Sequence, residues 1–207
     1  MSLQQALEPL YRSYLRRLDE MAARVPRGQL LVEATTRSSD GVLLLGDDGL
    51  PLRFDVADAR SGETFEVCGS TPDAPALAEV LVGRLSVRVQ PGNWEALPIV
   101  CAFDGEPLAD DAAAIAELVR GWAFLAAYGG FAGSAPSRGT PGADRWTGRL
   151  HSIAIELVDN ELRAVADLGT CPPLALQVLC SALAAFGEDR APLGHATLGG
   201  RAPEKQR

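Results

Sequence analysis

The sequence predicts an α+β fold. An antiparallel sheet, made of a meander plus hairpins, is packed by an N-terminal amphipathic helix and two later helices. Three observations carry this prediction. Residues 3–25 place apolar side chains at alternating four- and three-residue steps. Residues 29–69 break into short apolar runs separated by turn residues. Two later apolar segments, 110–128 and 174–186, are too long for strands.

The first helix is the clearest element. Leu3, Leu7, Leu10, Tyr14, Leu18, Met21 and Val25 line one face, widened by Tyr11, Leu15 and Ala22. Arg12, Arg16, Arg17, Asp19, Glu20 and Arg24 fill the other. Pro9 is expected in the first turn, with residues 3–8 as a lead-in, and Pro26 and Gly28 end the helix. The stripe is too wide for a coiled-coil seam, so packing on a sheet is expected.

Strands are predicted at 29–37, 41–46, 50–58 and 63–69, with Asp48-Gly49 as a tight turn. In the third run Leu52, Phe54 and Val56 alternate with Arg53, Asp55 and Ala57, which predicts one buried and one solvated face. Pro72 and Pro75 break the meander, and residues 76–82 read as a short helix ended by Gly83. A second hairpin is expected from 85–90 and 94–103 around Pro91-Gly92-Asn93, with Pro98 indicating an edge strand or a bulge.

Asp110 or Asp111 offers a cap for the next helix. Ile115, Leu118, Val119, Trp122 and Leu125 share one face, and the C-terminal half is apolar all round, which predicts its burial. Gly129 and Gly130 stop it. After a Gly/Ser/Pro-rich connector, residues 149–158 and 161–168 flank Asp159-Asn160 as another hairpin. Thr170, Pro172 and Pro173 prepare a helix over 174–186 that carries no charge and ends at Gly187, so deep burial is expected. The domain reading is therefore a main α+β domain at 1–131, a connector at 132–146, a hairpin–helix unit at 147–190 packing on the main domain, and a flexible tail at 191–207. Ile115, Leu118, Trp122 and Leu125 are expected to receive the second unit.

Composition narrows function. The chain has 207 residues, enough for one full core. Its N-terminus lacks a secretory signal pattern and no apolar run approaches the ~20 residues of a membrane span, so a cytoplasmic location without membrane insertion is expected. Cys68, Cys101, Cys171 and Cys180 are scattered, as reduced thiols are. Residues 29–131 carry six Arg against sixteen acids, so the excess acidity of the chain lies there. That opposes nucleic-acid binding, which needs a basic face, and suits a basic or extended protein partner.

A search for catalytic chemistry returns little. His151 and His195 are the only histidines, and no cysteine pair has ligand spacing, so no metal site and no cofactor are expected. Ser137 sits in an elbow-like Ala-Pro-Ser-Arg-Gly run, but in a connector rather than between a strand and a helix. No phosphate-binding loop is possible without a lysine before Lys205. The carboxylates Asp104, Glu106, Asp110 and Asp111 form the one cluster that could serve an enzyme, a small ligand or a hard cation, with helix capping as the competing role. Asp47, Asp48, Asp55, Asp58 and Trp146 are the candidate partner-binding residues, Trp146 being the tryptophan expected at the surface.

The stretches MSLQQALEPLYRSYL, GVLLLGDDGLPLRFDV and ALPIVCAFDGEPLADDAAAIAELVRGWAFL follow the order helix, three or so strands, short helix, two strands, helix. Over about residues 1–130 this resembles the type III secretion chaperones and related small acidic α+β proteins. The resemblance implies a dimer that holds a partner's extended segment against its sheets. The expected function is therefore a non-enzymatic protein-binding protein of chaperone, adaptor or immunity type, with a possible homo-oligomer. The alternatives are an enzyme or ligand binder using the four carboxylates, and a structural subunit that uses the uncharged helix 174–186 as its interface.

Overall fold

The N-terminal helix α1 (Leu3–Ala22) starts at Ser2, whose hydroxyl accepts from the Gln5 N–H while the Gln5 side chain accepts from the Ser2 N–H. Pro9 is therefore inside the helix and not in its first turn. The chain then forms β1 (Leu30–Val32), β2 (Val56–Asp58), β3 (Thr64–Phe65), β4 (Ala78–Val82), β5 (Leu85–Val89), a 3-10 turn at Trp94–Ala96 and β6 (Leu97–Phe103). Helix α2 (Ala109–Ala127), β7 (Ser152–Val158), β8 (Glu161–Asp167), α3 (Pro173–Asp189) and β9 (Leu193–Leu198) complete it. This is a computed structural model, and it describes residues 1–70, 77–134 and 146–200. Most of the connector, Ser137 included, and residues 201–207 lie outside the described residues, as do Pro72 and Pro75.

The fold is α+β. Strands β1, β2 and β3 form a small antiparallel sheet, and six strands form a larger one in the order β4-β5-β9-β6-β8-β7. Every neighbouring pair in the larger sheet is antiparallel except β5–β9. Register places Val87, Ala196, Cys101 and Leu162 in one row across its centre, all fully buried. The neighbouring row Arg88, Thr197, Val100, Arg163 and Glu156 faces the other way and stays partly or fully exposed. Such alternation is that of a sheet covered on one face only. Helix α3 packs on β4, β5 and β9 and against both other helices, α1 touches β4 and β5, and α2 covers β7 and β8.

Several local expectations are overturned. Residues 78–82 are a strand: Ala78 and Val82 are buried while Glu79 and Leu81 are exposed, a period of two that local helix propensity hid. Its hairpin partner is β5, through Gly83-Arg84. The hairpin expected from 85–90 and 94–103 does not form, because β9 inserts between β5 and β6. The polar tail is thus partly a central strand. Pro98 is accordingly inside the sheet, and its missing N–H is harmless: the β6–β9 ladder begins at Ile99–Leu198, and the Pro98 carbonyl accepts from Gly199 N at 2.8 Å. Gly199 has φ +89°, and a Cβ there would stand 2.2 Å from the Gln90 carbonyl oxygen, so only glycine lets β9 end against β5.

The meander is not a flat ladder. Thr36, Leu44 and Leu52 close a ring of hydrogen bonds: Leu44 N donates to Thr36 O at 3.1 Å, Leu52 N to Leu44 O at 3.0 Å, and Thr36 N to Leu52 O at 2.8 Å. The run 41–46 therefore forms isolated bridges rather than a strand. The predicted faces of the third run hold only at Val56, which is fully buried; Asp55 and Ala57 are buried too, and Leu52 is 44% exposed.

Helix α2 is capped at Leu108 without a side-chain bond, and Asp110 and Asp111 lie in its first turn, where they suit the helix dipole. Trp122 is buried and donates through Nε1 to Ala175 O at 2.8 Å, which joins α2 to α3. Leu125 instead faces solvent, as does Phe124. Thr170 does not cap α3, whose N-cap is Pro172, and the helix passes Gly187 to reach Asp189. Strands from before and after the connector share one sheet and one hydrophobic cluster, so residues 147–198 complete the core rather than append to it.

Candidate functional site

Where the small sheet meets the rest of the chain lies a buried group of ionisable side chains. It begins with Glu33, which follows β1. Its φ of +48° breaks the strand alternation and turns the carboxylate inward, a backbone conformation that costs a non-glycine residue about 1–3 kcal/mol. The carboxylate collects five donors. Oε1 accepts from Thr170 N at 2.7 Å and from His151 Nε2 at 2.9 Å; Oε2 accepts from Thr170 Oγ1 at 2.5 Å, from Thr147 N at 3.3 Å and from the Thr147 hydroxyl.

His151 precedes β7 and is 5% exposed. Its Nδ1 makes no hydrogen bond, and faces Asp55 Oδ1 at 3.5 Å and Asp167 Oδ2 at 3.7 Å. Asp55 in turn accepts from Tyr14 of α1 through its hydroxyl and from Val67 N at 2.6 Å. Gly169, with φ +50°, makes room for the ring: a Cβ there would stand 2.6 Å from both the imidazole and the Arg149 carbonyl oxygen. The loop carrying Gly169 and Thr170 is anchored from outside by Tyr11, whose hydroxyl donates to Thr170 O at 2.9 Å, and by Trp94, whose Nε1 donates to Gly169 O at 3.0 Å.

The charges follow from these contacts. Burial opposes ionisation of Glu33, but the bond and charge of His151 and the two threonine hydroxyls outweigh it and hold the carboxyl below its usual range. Burial also opposes the imidazolium, yet Asp167 and Glu33 together push His151 well above its ordinary value. At 3.7 Å Asp167 acts through its charge rather than a hydrogen bond. Burial raises Asp55, and raises Glu66 beside it to about 7, the Asp55 charge adding to the second shift. These contacts favour the Glu33 anion and the His151 cation, and the pair joins segments 118 residues apart.

Four cavities of about 240–320 Å³ lie at the surface, and none of these four is lined by Glu33, His151, Asp55 or Asp167. The group ties segments from the two halves of the chain together.

The structure scatters the sequence-predicted site residues. Asp48 is tied into the fold, since its carboxylate accepts from Leu50 N and, across to β7, from Ile153 N, both at 2.9 Å. Asp58 holds a turn by accepting from Arg60 N at 2.8 Å. Asp47 is exposed. Asp55 belongs to the buried group, and Trp146 is 3% exposed, so neither reaches the surface. Of the four clustered carboxylates, Asp111 pairs with Arg190 at 3.1 Å, while Asp104, Glu106 and Asp110 face solvent. Among the described residues no group of three or more His, Cys, Asp or Glu side chains is arranged to hold a metal ion. No helix among them is long and apolar enough to cross a membrane.

The surface does show an apolar region that the sequence reading missed. Val42, Leu44, Leu45 and Leu52 of the ring segment are 36–58% exposed, and Phe124, Leu125 and Tyr128 at the end of α2 are 50–57% exposed. The two elements adjoin. Arg53 Nη2 donates to Ala127 O at 3.1 Å, and Leu50 and Phe124 line one cavity of about 280 Å³. The Phe124 and Tyr128 rings meet tilted at 33°, with centroids 4.5 Å apart. No protein-family model matches the sequence, and no curated protein or solved structure is significantly similar to the chain.

Proposed function

We propose that this chain is a non-enzymatic protein-binding protein, a cytoplasmic chaperone, adaptor or immunity-type partner. The observation that carries the reading is the apolar surface formed by Leu44, Leu45 and Leu52 with Phe124, Leu125 and Tyr128, large side chains left in water on adjoining elements. Large apolar side chains exposed on adjoining elements are the kind of surface that interaction sites use, and aromatic residues supply the anchors. Asp40, Asp47 and Asp48 border the ring segment, within the acidic part of the chain, which suits a partner with basic residues around an apolar contact. The order of elements in the type III secretion chaperones adds little support, because residues 78–82 are a strand where that order has a short helix. Nor does helix α3, uncharged over 174–186, favour a subunit interface, since it packs inside the chain against α1, α2 and the sheet.

The test is purification from native lysate of the chain and of a Leu45→Glu/Phe124→Glu variant. One partner retained by the first, lost by the second at unchanged melting temperature, is the expected result. Identical co-purifying proteins, or a partner-free protein with turnover on small substrates, would overturn the reading.

A further inference from the structure

The buried group gathers three carboxylates, Glu33, Asp55 and Asp167, around one imidazole, and they come from both halves of the chain. Glu33 and Asp55 belong to the segment of the small sheet; His151 and Asp167 belong to the segment of the large one. Beyond this group, the small-sheet segment is fixed by Leu50, Val56 and Val67, which are buried in the shared core, by packing of α1 near β2, by the Asp48–Ile153 bond and by the Arg53–Ala127 bond. We propose that the group is a proton-dependent latch: the imidazolium of His151 holds the small sheet against the rest of the fold, and loss of its proton at alkaline pH loosens residues 29–67.

The geometry supplies the mechanism. Every element packed here contributes a polar group. Helix α1 brings Tyr14 and Tyr11, the small-sheet segment brings Glu33, Arg53, Asp55 and, over Asp55, Glu66, and the second half brings Thr147, Arg149, Asp167, Thr170 and Cys171. The two arginines do not replace the histidine. Arg53 spends its Nη donors on the carbonyls of Glu33 and Ala127, and no hydrogen bond reaches the buried Nε of Arg53 or Arg149. With the proton present, the imidazolium stands between the three carboxylates, with the Arg53 guanidinium close to Glu33. When the Nδ1–H proton passes to solvent, the ring keeps a single N–H for Glu33, and Asp55 and Asp167 face a neutral nitrogen. Asp167, its side chain 25% exposed, offers the path outward. Tyr14 does not titrate first, because burial and the Asp55 charge hold its hydroxyl well above the ordinary phenol value.

The test follows both histidine Cε1 resonances by NMR from pH 6 to pH 10, assigned with His195→Gln, and hydrogen exchange corrected for chemical rate over the same range. His151 should titrate in one step well above 6.5, with residues 29–67 losing protection at the same midpoint while 97–103 and 161–167 keep theirs. Asp167→Asn, a shape-preserving change, should lower both midpoints together by about one pH unit or more, the size of an opposite charge at this range. His151→Gln should abolish the step, with 29–67 poorly protected throughout. A His151 midpoint in the ordinary histidine range, protection of 29–67 that follows the large sheet, or midpoints unmoved by Asp167→Asn would overturn the latch. The Asp167→Asn result stands even where His151→Gln does not fold.

Discussion

Glu33→Gln is the substitution that most directly weighs the buried group. The change is almost isosteric, so it removes charge without opening a cavity. Gln can present its carbonyl to Thr170 N and His151 Nε2, leaving its amide to face the Thr147 and Thr170 hydroxyls, which can rotate to accept. Thr147 N, which now donates at 3.3 Å, loses its acceptor, and His151 loses its closest counter-ion. Removing one partner of a buried ion pair costs about 3–5 kcal/mol, because the other charge stays behind. At this chain length each kcal/mol moves the melting temperature by about 2–4 °C, so the expected fall is roughly 6–20 °C. Calorimetry at pH 5.5 is the assay. The pH is chosen from the signs of the shifts. Glu33 is depressed in the folded chain, so its contribution is present above the ordinary 4.5 and fades as pH falls through the folded value. His151 is raised, so its contribution is full below the ordinary 6.5 and fades as pH rises through the folded value. Both are therefore intact between about 4.5 and 6.5. A loss under about 1 kcal/mol, the worth of an exposed pair, would refute the reasoning.

Three further outcomes are expected. Gly121→Ala, inside α2 where a Cβ meets nothing within 4 Å, should stabilise the chain by about 0.5–1 kcal/mol in denaturant unfolding. Deleting residues 193–198 should abolish the dispersed amide spectrum of a folded chain, because β5 and β6 both lose their neighbour. In a native thiol assay Cys68 should react fast and Cys101, Cys171 and Cys180 only after unfolding, since all three are fully buried and burial raises their thiols, Cys101 to about 12.

What could be read from the chain depended on how local the cause was. The stripe of α1, the Asp159-Asn160 hairpin of β7 and β8, and the uncharged stretch 174–186 of α3 are each specified within about twenty neighbouring residues by periodicity and turn chemistry. β9 is not. Ala196 sits between Val87 and Cys101 in the buried row, and nothing in a polar run of that composition names β5 and β6 as neighbours. Residues 78–82 were misread for a related reason: Ala, Glu and Leu favour helix, and only pairing with β5 selects the extended form. The buried group was invisible because its members are single residues from distant segments. One signal was available: Glu33 is a lone acid inside an apolar run, where an unpaired carboxylate would be costly. The apolar surface was missed through the opposite assumption, that apolar all round means buried.

The position of β9 also governs how the chain is born. Its neighbour β5 lies more than a hundred residues earlier, and β6 some ninety earlier. Until residues 193–198 clear the ribosome, those two strands have no partner between them and present open backbone edges, with Val87, Val89, Ile99 and Cys101 uncovered. The large sheet therefore cannot assemble strand by strand during synthesis, and non-local closure of this kind folds slowly. Slowing translation between β6 and β9 should therefore raise aggregation rather than relieve it.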